Sequence, residues 1–212
     1  MKINKKLLVI TTLLILLPMI FGIVYWEQLP ETMATHFNIN NEPDGWSSKA
    51  TVVFGMPLIM AALHIFGFFM TFSDPKKNNI GKKPIGIVYW LVPVISVALI
   101  GSSYAIALGK EVDIGMVCCL LMGILFIVLG NYMPKARQNY TIGIKIPWTL
   151  ANEENWNRTH RLAGYLWMIC GILMIIISLT RFVPVGWMVG IFLIMVLVPC
   201  VYSCWLHVKN GL

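Results

Sequence analysis

Charge is what this sequence has least of. Only 12% of its residues are Asp, Glu, Lys or Arg, about half the share of a soluble globular domain, so a water-soluble fold is excluded. Recurrent catalytic patterns are missing as well: there is no H-E-x-x-H, no G-x-S-x-G and no Walker-type glycine loop. No two carboxylates share an apolar run. The four histidines, His36, His64, His160 and His207, are dispersed along the chain, which argues against a metal cluster. Five cysteines (Cys118, Cys119, Cys170, Cys200 and Cys204) all fall in apolar runs without a C-x-x-C pair, so they form no disulfide framework. Cys200 and Cys204 share a helix face and read as small packing residues. Nothing in the chain specifies an enzyme or a cofactor.

What is there is hydrophobic: 58% of the residues, with a mean hydropathy of +0.77. These residues gather into six runs, 7–26, 52–72, 85–108, 114–133, 162–182 and 185–206. Each is about the length of a bilayer-crossing helix, roughly 20 residues at 1.5 Å per residue. Backbone groups in lipid must bond internally, so helices are the expected form. The fold class expected is an all-α integral membrane protein with six transmembrane helices.

Lysine and arginine orient it. With the N-terminus in the cytoplasm, the inner segments hold Lys2, Lys5, Lys6, Lys76, Lys77, Lys82, Lys83, Lys135, Arg137, Lys145, Arg158, Arg161 and Lys209; only Lys49, Lys110 and Arg181 fall outside. That asymmetry places both termini in the cytoplasm and accounts for the net charge of +7 without nucleic acid. The first run is too long for a signal peptide and ends in Tyr25-Trp26-Glu27 rather than a cleavage site, so it is expected to stay as helix 1. The sequons at Asn139 and Asn157 then face the cytoplasm and are not glycosylated. GIVYW occurs twice, at 22–26 and 86–90, without matching flanks, and reads as coincidence. Prolines 18, 57, 93 and 199 lie in or near the ends of spans, where kinks are expected.

His64 is the one ionisable side chain, thiols aside, deep within a run. Such a residue is a functional candidate by default, and a neutral histidine bonded to a neighbouring helix satisfies the same facts. Short turns are expected at 109–113 and 181–184, and a lysine-rich inner loop at 73–84 lies against anionic headgroups.

Two long connectors remain. The inner one, 134–161, follows Pro134, which stops helix 4. Residues 138–146, QNYTIGIKI, alternate polar and apolar around Gly143 and suit an extended or turning segment on the membrane surface. Pro147-Trp148 re-enters the interface. Asn152 is a helix N-cap with Glu153 and Glu154 in the first turn, and the helix should run unbroken into span 5. Trp156, His160, Ala163/Gly164, Trp167 and Gly171 then form one face whose small residues admit another helix closely, while Arg158 and Arg161 point elsewhere. That face either packs on the protein's own loop or receives a partner. The outer connector, 27–49, is acidic, and Pro43-Asp44-Gly45 is its expected turn. With Phe37 and Trp46 as apolar anchors, it suits a cationic membrane-active peptide; a compact cap with solvated carboxylates is the alternative.

The inner segment NYMPKARQNYTIGIKIPWTLANEENWNRTHRLAGYLW resembles the SdpI family of bacterial membrane immunity proteins. N-Y-x-x-G-I-K-x-P-W-T-L and N-W-x-x-T-H-R carry that resemblance. The outer segment LPETMATHFNINNEPDGWSSK resembles the small domain of unknown function often fused ahead of it. Two parts are therefore expected: a two-helix membrane domain, residues 1–75, with an extracellular loop, and a four-helix domain, residues 76–212, with a cytoplasmic loop. The resemblance implies immunity to a secreted antimicrobial peptide, and signalling in which a cytoplasmic repressor is held at the membrane. It carries over no ligand residues.

Candidate partner-binding residues are accordingly His36, Phe37, Asn38, Asp44, Gly45 and Trp46 for the toxin on the outer side. On the inner side they are Lys135, Arg137, Asn139, Tyr140, Trp148, Asn155, Trp156, His160 and Arg161. The competing reading is a small transporter or lipid-handling protein that binds headgroup phosphates through Arg137, Lys145, Arg158 and Arg161.

Overall fold

A computed structural model describes residues 3–180 and 185–211. Among them, six helices are long and apolar enough to cross a bilayer. The turn expected at 181–184 lies outside the described residues. The chain divides into two compact units, residues 2–69 with 86–117, and residues 70–85 with 118–212.

The first unit holds α1 (Lys5–Val24), the strands β1 (Thr32–Phe37) and β2 (Pro43–Ser48), most of α2 (Met56–Ser73) and most of α3 (Lys82–Ala107). Asn4 caps α1 by accepting from the Leu7 amide. A single π-type turn, Thr51–Gly55, leads into α2. Leu29, Met33, Val52, Val53, Ile100 and Tyr104 form its buried core. Pro18 lies inside α1, where it removes an amide from the helix ladder. Hydroxyls from α3 bond the α1 carbonyls around it: Ser96 Oγ donates to Ile15 O at 3.3 Å and Tyr104 OH to Pro18 O at 3.0 Å. Such bonds join helices where no water competes.

His64 is buried, with Nε2 3.1 Å from Thr11 Oγ1. The Thr11 hydroxyl also lies 2.9 Å from Leu7 O and 3.1 Å from Leu8 O. The other ring nitrogen, Nδ1, has no hydrogen-bond partner among the described residues. His64 is thus bonded to a neighbouring helix, as one of the two readings of the sequence requires.

The second unit contains α4 (Ile114–Tyr132, from Cys118), a 3₁₀ turn at Met133–Lys135, α5 (Pro147–Ala151), α6 (Glu153–Leu179) and α7 (Val185–Asn210). The small face of α6 meets α4 through two glycine pairs. A Cβ on Gly164 would stand 2.8 Å from Gly130 O, and one on Gly171 2.6 Å from Gly123 O; the reverse approaches are 2.7 and 2.8 Å. The helices touch backbone to backbone at both levels, as the small residues of α6 led us to expect. Further along, Phe126, Cys170, Met174, Ile191 and Met195 form the core. There Trp167 Nε1 donates to Met195 O at 3.0 Å.

Candidate functional site: the two polar connectors

The connector between α4 and α6 does not lie extended. It folds back onto the first three turns of α6 as an irregular loop followed by α5. A loop without regular secondary structure must find partners for its backbone groups elsewhere, and the Asn, Gln and Thr side chains provide them. Asn139, 1% exposed, uses its whole amide: Nδ2 donates to Arg137 O and Ile142 O, and Oδ1 accepts from the amides of Thr141 and Ile142. Gln138 Nε2 donates to the carbonyls of Thr149 and Leu150. Thr149 Oγ1 donates to Ile144 O and accepts from the Ile146 amide.

The loop crosses α6 at Gly143. Its φ is +132°, and a Cβ there would lie 2.5 Å from His160 Nε2 and 2.8 Å from the Trp156 ring. Glycine is required on both counts. Beneath it, Trp156 and His160 are fully buried and stack at 3.9 Å. Trp156 Nε1 donates to Ala136 O at 2.7 Å. The Ile144 amide can only donate, so His160 Nε2, 2.9 Å away, accepts; Nδ1 then carries the proton and donates to Trp156 O at 2.8 Å. The imidazole is held neutral in one tautomer. Asn152 caps α6, accepting from the amides of Glu154 and Asn155. Asn155 binds α7: Nδ2 donates to Ser203 O at 2.9 Å, and Oδ1 accepts from Ser203 Oγ at 2.6 Å and Thr159 Oγ1 at 3.1 Å.

Asp74, which the sequence reading passed over, anchors the loop from outside it. Its carboxylate, 4% exposed, accepts from the amides of Lys76 and Tyr140 and from Thr141 Oγ1 at 2.6 Å. Lys76 adds a bond to Gln138 Oε1 and lies 5.2 Å over the Tyr140 ring. The signal was present: Asp74 is the one carboxylate in a loop with four lysines.

The inner candidates therefore divide. Asn139, Asn155, Trp156 and His160 are buried and internally bonded, and Trp148 is half-buried with its ring 6.2 Å from that of His207. Lys135, Arg137, Tyr140 and Arg161 are exposed. Of the neighbouring cations, Arg158 pairs with Glu154, and Lys145 donates to Tyr140 O and Thr141 O.

The other connector is a β-hairpin, with Thr32 opposite Ser48, Ala34 opposite Trp46 and Phe37 opposite Pro43. Pro43-Asp44-Gly45, expected as the turn, lies in β2 instead. The turn comes earlier, at 38–42. There Asn38 Oδ1 accepts from the amides of Asn40 and Glu42, Asn38 Nδ2 donates to Glu42 Oε2, and Asn41 takes a φ of 62°. Asparagine supplies both the side-chain bonds and the left-handed backbone, and Pro43 is admitted as the first residue of its strand. Gly45 is a pairing requirement, since a Cβ there would stand 2.9 Å from that of His36. His36 pairs with Asp44 at the surface, Phe37 is half-buried and Trp46 is 59% exposed. Asn41 ties the turn to the short connector after α3, accepting from the Ile114 amide at 2.8 Å and donating to Val112 O at 3.3 Å. At the hairpin's base the buried Lys49 ammonium donates to Trp26 O, Leu29 O and Glu31 Oε1 at 3.0–3.3 Å and lies over the Trp26 ring. Sequence reasoning counted Lys49 only as a charge.

Among the described residues no group of three or more His, Cys, Asp or Glu could hold a metal ion. Residues 135–203 match the SdpI/YfhL protein family, and residues 13–61 match a domain of unknown function, DUF1648. Among curated proteins, the Immunity protein SdpI of Bacillus subtilis (strain 168) is 28% identical over 199 residues, covering 92% of this chain and 91% of that protein. No solved structure matches.

Proposed function

Because residues 135–203 of this multi-pass bacterial membrane protein match the SdpI/YfhL protein family, we propose that it confers immunity to a secreted antimicrobial peptide, with the hairpin outside the cell and the α4–α6 loop inside. The observation that carries the reading is the separation of charge between the connectors. Six of the nine carboxylates, Glu27, Glu31, Glu42, Asp44, Glu111 and Asp113, belong to the hairpin and the connector tied to its turn. Lysine and arginine dominate the other connectors, which favours the latter for the cytoplasm. An acidic outer surface attracts a cationic peptide before it reaches the bilayer.

The same orientation gives the inner loop a signalling role. Its buried residues fix the fold, and its exposed Lys135, Arg137, Tyr140 and Arg161 form a basic surface that fits an acidic patch on a cytoplasmic repressor. Expression in a sensitive bacterium tests the main reading. Survival against membrane-depolarising cationic peptides should rise at least tenfold; unchanged killing curves at confirmed membrane levels across a panel of such peptides refute immunity.

A further inference from the structure

Within the first unit, the hairpin-side halves of α1 and α3 meet through Phe21 and Tyr104 and leave one side open. Between them lies an open-sided cleft of about 680 Å³, within the range of about 300–1,000 Å³ typical of ligand pockets. Leu17, Phe21 and Tyr25 form one wall, and Val97, Gly101 and Tyr104 the other. The aromatic rings are ordered: Phe21 stacks on Tyr25 at 4.3 Å and, from the facing wall, on Tyr104 at 5.3 Å. Tyr104 spends its hydroxyl on Pro18 O, so the lining is apolar apart from Lys110. Gly101 is exposed, and a Cβ on it would meet nothing within 4 Å; the missing side chain is part of what keeps the cleft open.

Charge marks the mouth. Glu27 follows Tyr25 by two residues at the end of α1, and Glu111 follows the lining residue Lys110 after α3. Both carboxylates are exposed and make no hydrogen bond or ion pair among the described residues. The neighbouring Glu31 is bonded to Lys49 and Asp44 to His36, which leaves Glu27, Glu42, Glu111 and Asp113 against Lys110 at this end of the unit. A net negative mouth repels a phospholipid phosphate and attracts lysine or arginine.

We propose that this cleft is the docking site for the toxin of the preceding section: a cationic amphipathic peptide that lays apolar side chains between α1 and α3 and sets its positive charges against Glu27 and Glu111. The proposal rests on the immunity reading for its occupant and on the cleft for its place. Filling the cleft should abolish docking without disturbing packing, because Gly101→Trp enters open space. Gly86→Trp is the control, on the same helix four turns away and equally unobstructed.

The full chain is placed in lipid nanodiscs, and a dansyl-labelled 18-residue Leu/Lys amphipathic helix is titrated, with empty discs as baseline. Wild type and Gly86→Trp should bind above baseline with equal affinity. Gly101→Trp should lose at least tenfold, and Glu27→Gln/Glu111→Gln about three- to tenfold with a shallower salt dependence. Equal binding by Gly101→Trp and wild type, no wild-type binding above baseline, or a co-purified lipid that the peptide does not displace in a native mass spectrum each overturns the cleft as the site. Killing curves separate this from the parent reading. Protection that survives Gly101→Trp refutes the cleft and leaves immunity standing, whereas absence of protection by wild type refutes immunity itself.

Discussion

Replacing Gly143 with alanine tests whether the loop is clamped to α6. Two costs combine. The backbone sits at φ +132°, where a non-glycine residue is strained by about 1–3 kcal/mol. The added methyl would also fall 2.5 Å from His160 Nε2, so the loop must lift. Lifting breaks the Ile144–His160 bond of 2.9 Å, and leaving that buried acceptor unmet costs about 1–3 kcal/mol. Together these come to about 2–6 kcal/mol, drawn from the local opening equilibrium rather than from the whole fold. Hydrogen exchange by mass spectrometry reads it directly. Peptides covering 139–146 should exchange about 30- to 20,000-fold faster at about 1.4 kcal/mol per tenfold, while peptides from the middle of α6 stay protected. Exchange within threefold of wild type would mean that the loop is not held through Gly143, and the account of Trp156 and His160 would fail with it.

Two further substitutions probe the remaining seams. Gly164→Leu drives a side chain into Gly130 O and Pro134; at about 3 kcal/mol of overpacking the detergent-solubilised protein should lose about 6–12 °C of Tm, and an unchanged Tm would refute backbone contact between α4 and α6. Lys49→Met removes the ammonium from two carbonyls and from Glu31, a loss of about 2–5 kcal/mol to the hairpin base, so chymotrypsin should cut near Phe37 and Trp46 at least tenfold faster; equal cleavage would show that the hairpin does not depend on Lys49.

The membrane architecture was legible because its signals are local. Run length gives the spans, Pro134 ends the fourth of them, and Asn152 followed by two glutamates starts α6 where the structure starts it. The close-packing face of α6 was legible too, since spacing alone puts Gly164 and Gly171 together. What could not be read was which way the polar side chains turn. A connector rich in Asn, Thr, Trp and His looks the same whether it grips a partner or its own backbone. Only the fold shows that Asn139, Asn155, Trp156 and His160 bond inward, leaving Lys135, Arg137, Tyr140 and Arg161 outside. Asp74 and Lys49 were missed because their partners are distant in sequence. The hairpin turn was misplaced because Pro-Asp-Gly is a strong local turn signal, and two asparagines upstream close the chain first.

The two glycine pairs between α4 and α6 fix how these helices can move. Gly123 and Gly130 are seven residues apart, as are Gly164 and Gly171, a separation of about 10.5 Å along each axis. A piston shift of either helix by one turn, about 5.4 Å, would bring each glycine against residues of the size of Ile127 or Met168, which already border the seam. The pair has a single axial register, like two notched bars. A stimulus arriving at one end of α6 cannot be passed on by sliding; it must tilt or rotate α4, α6 and the loop clamped to them as one piece.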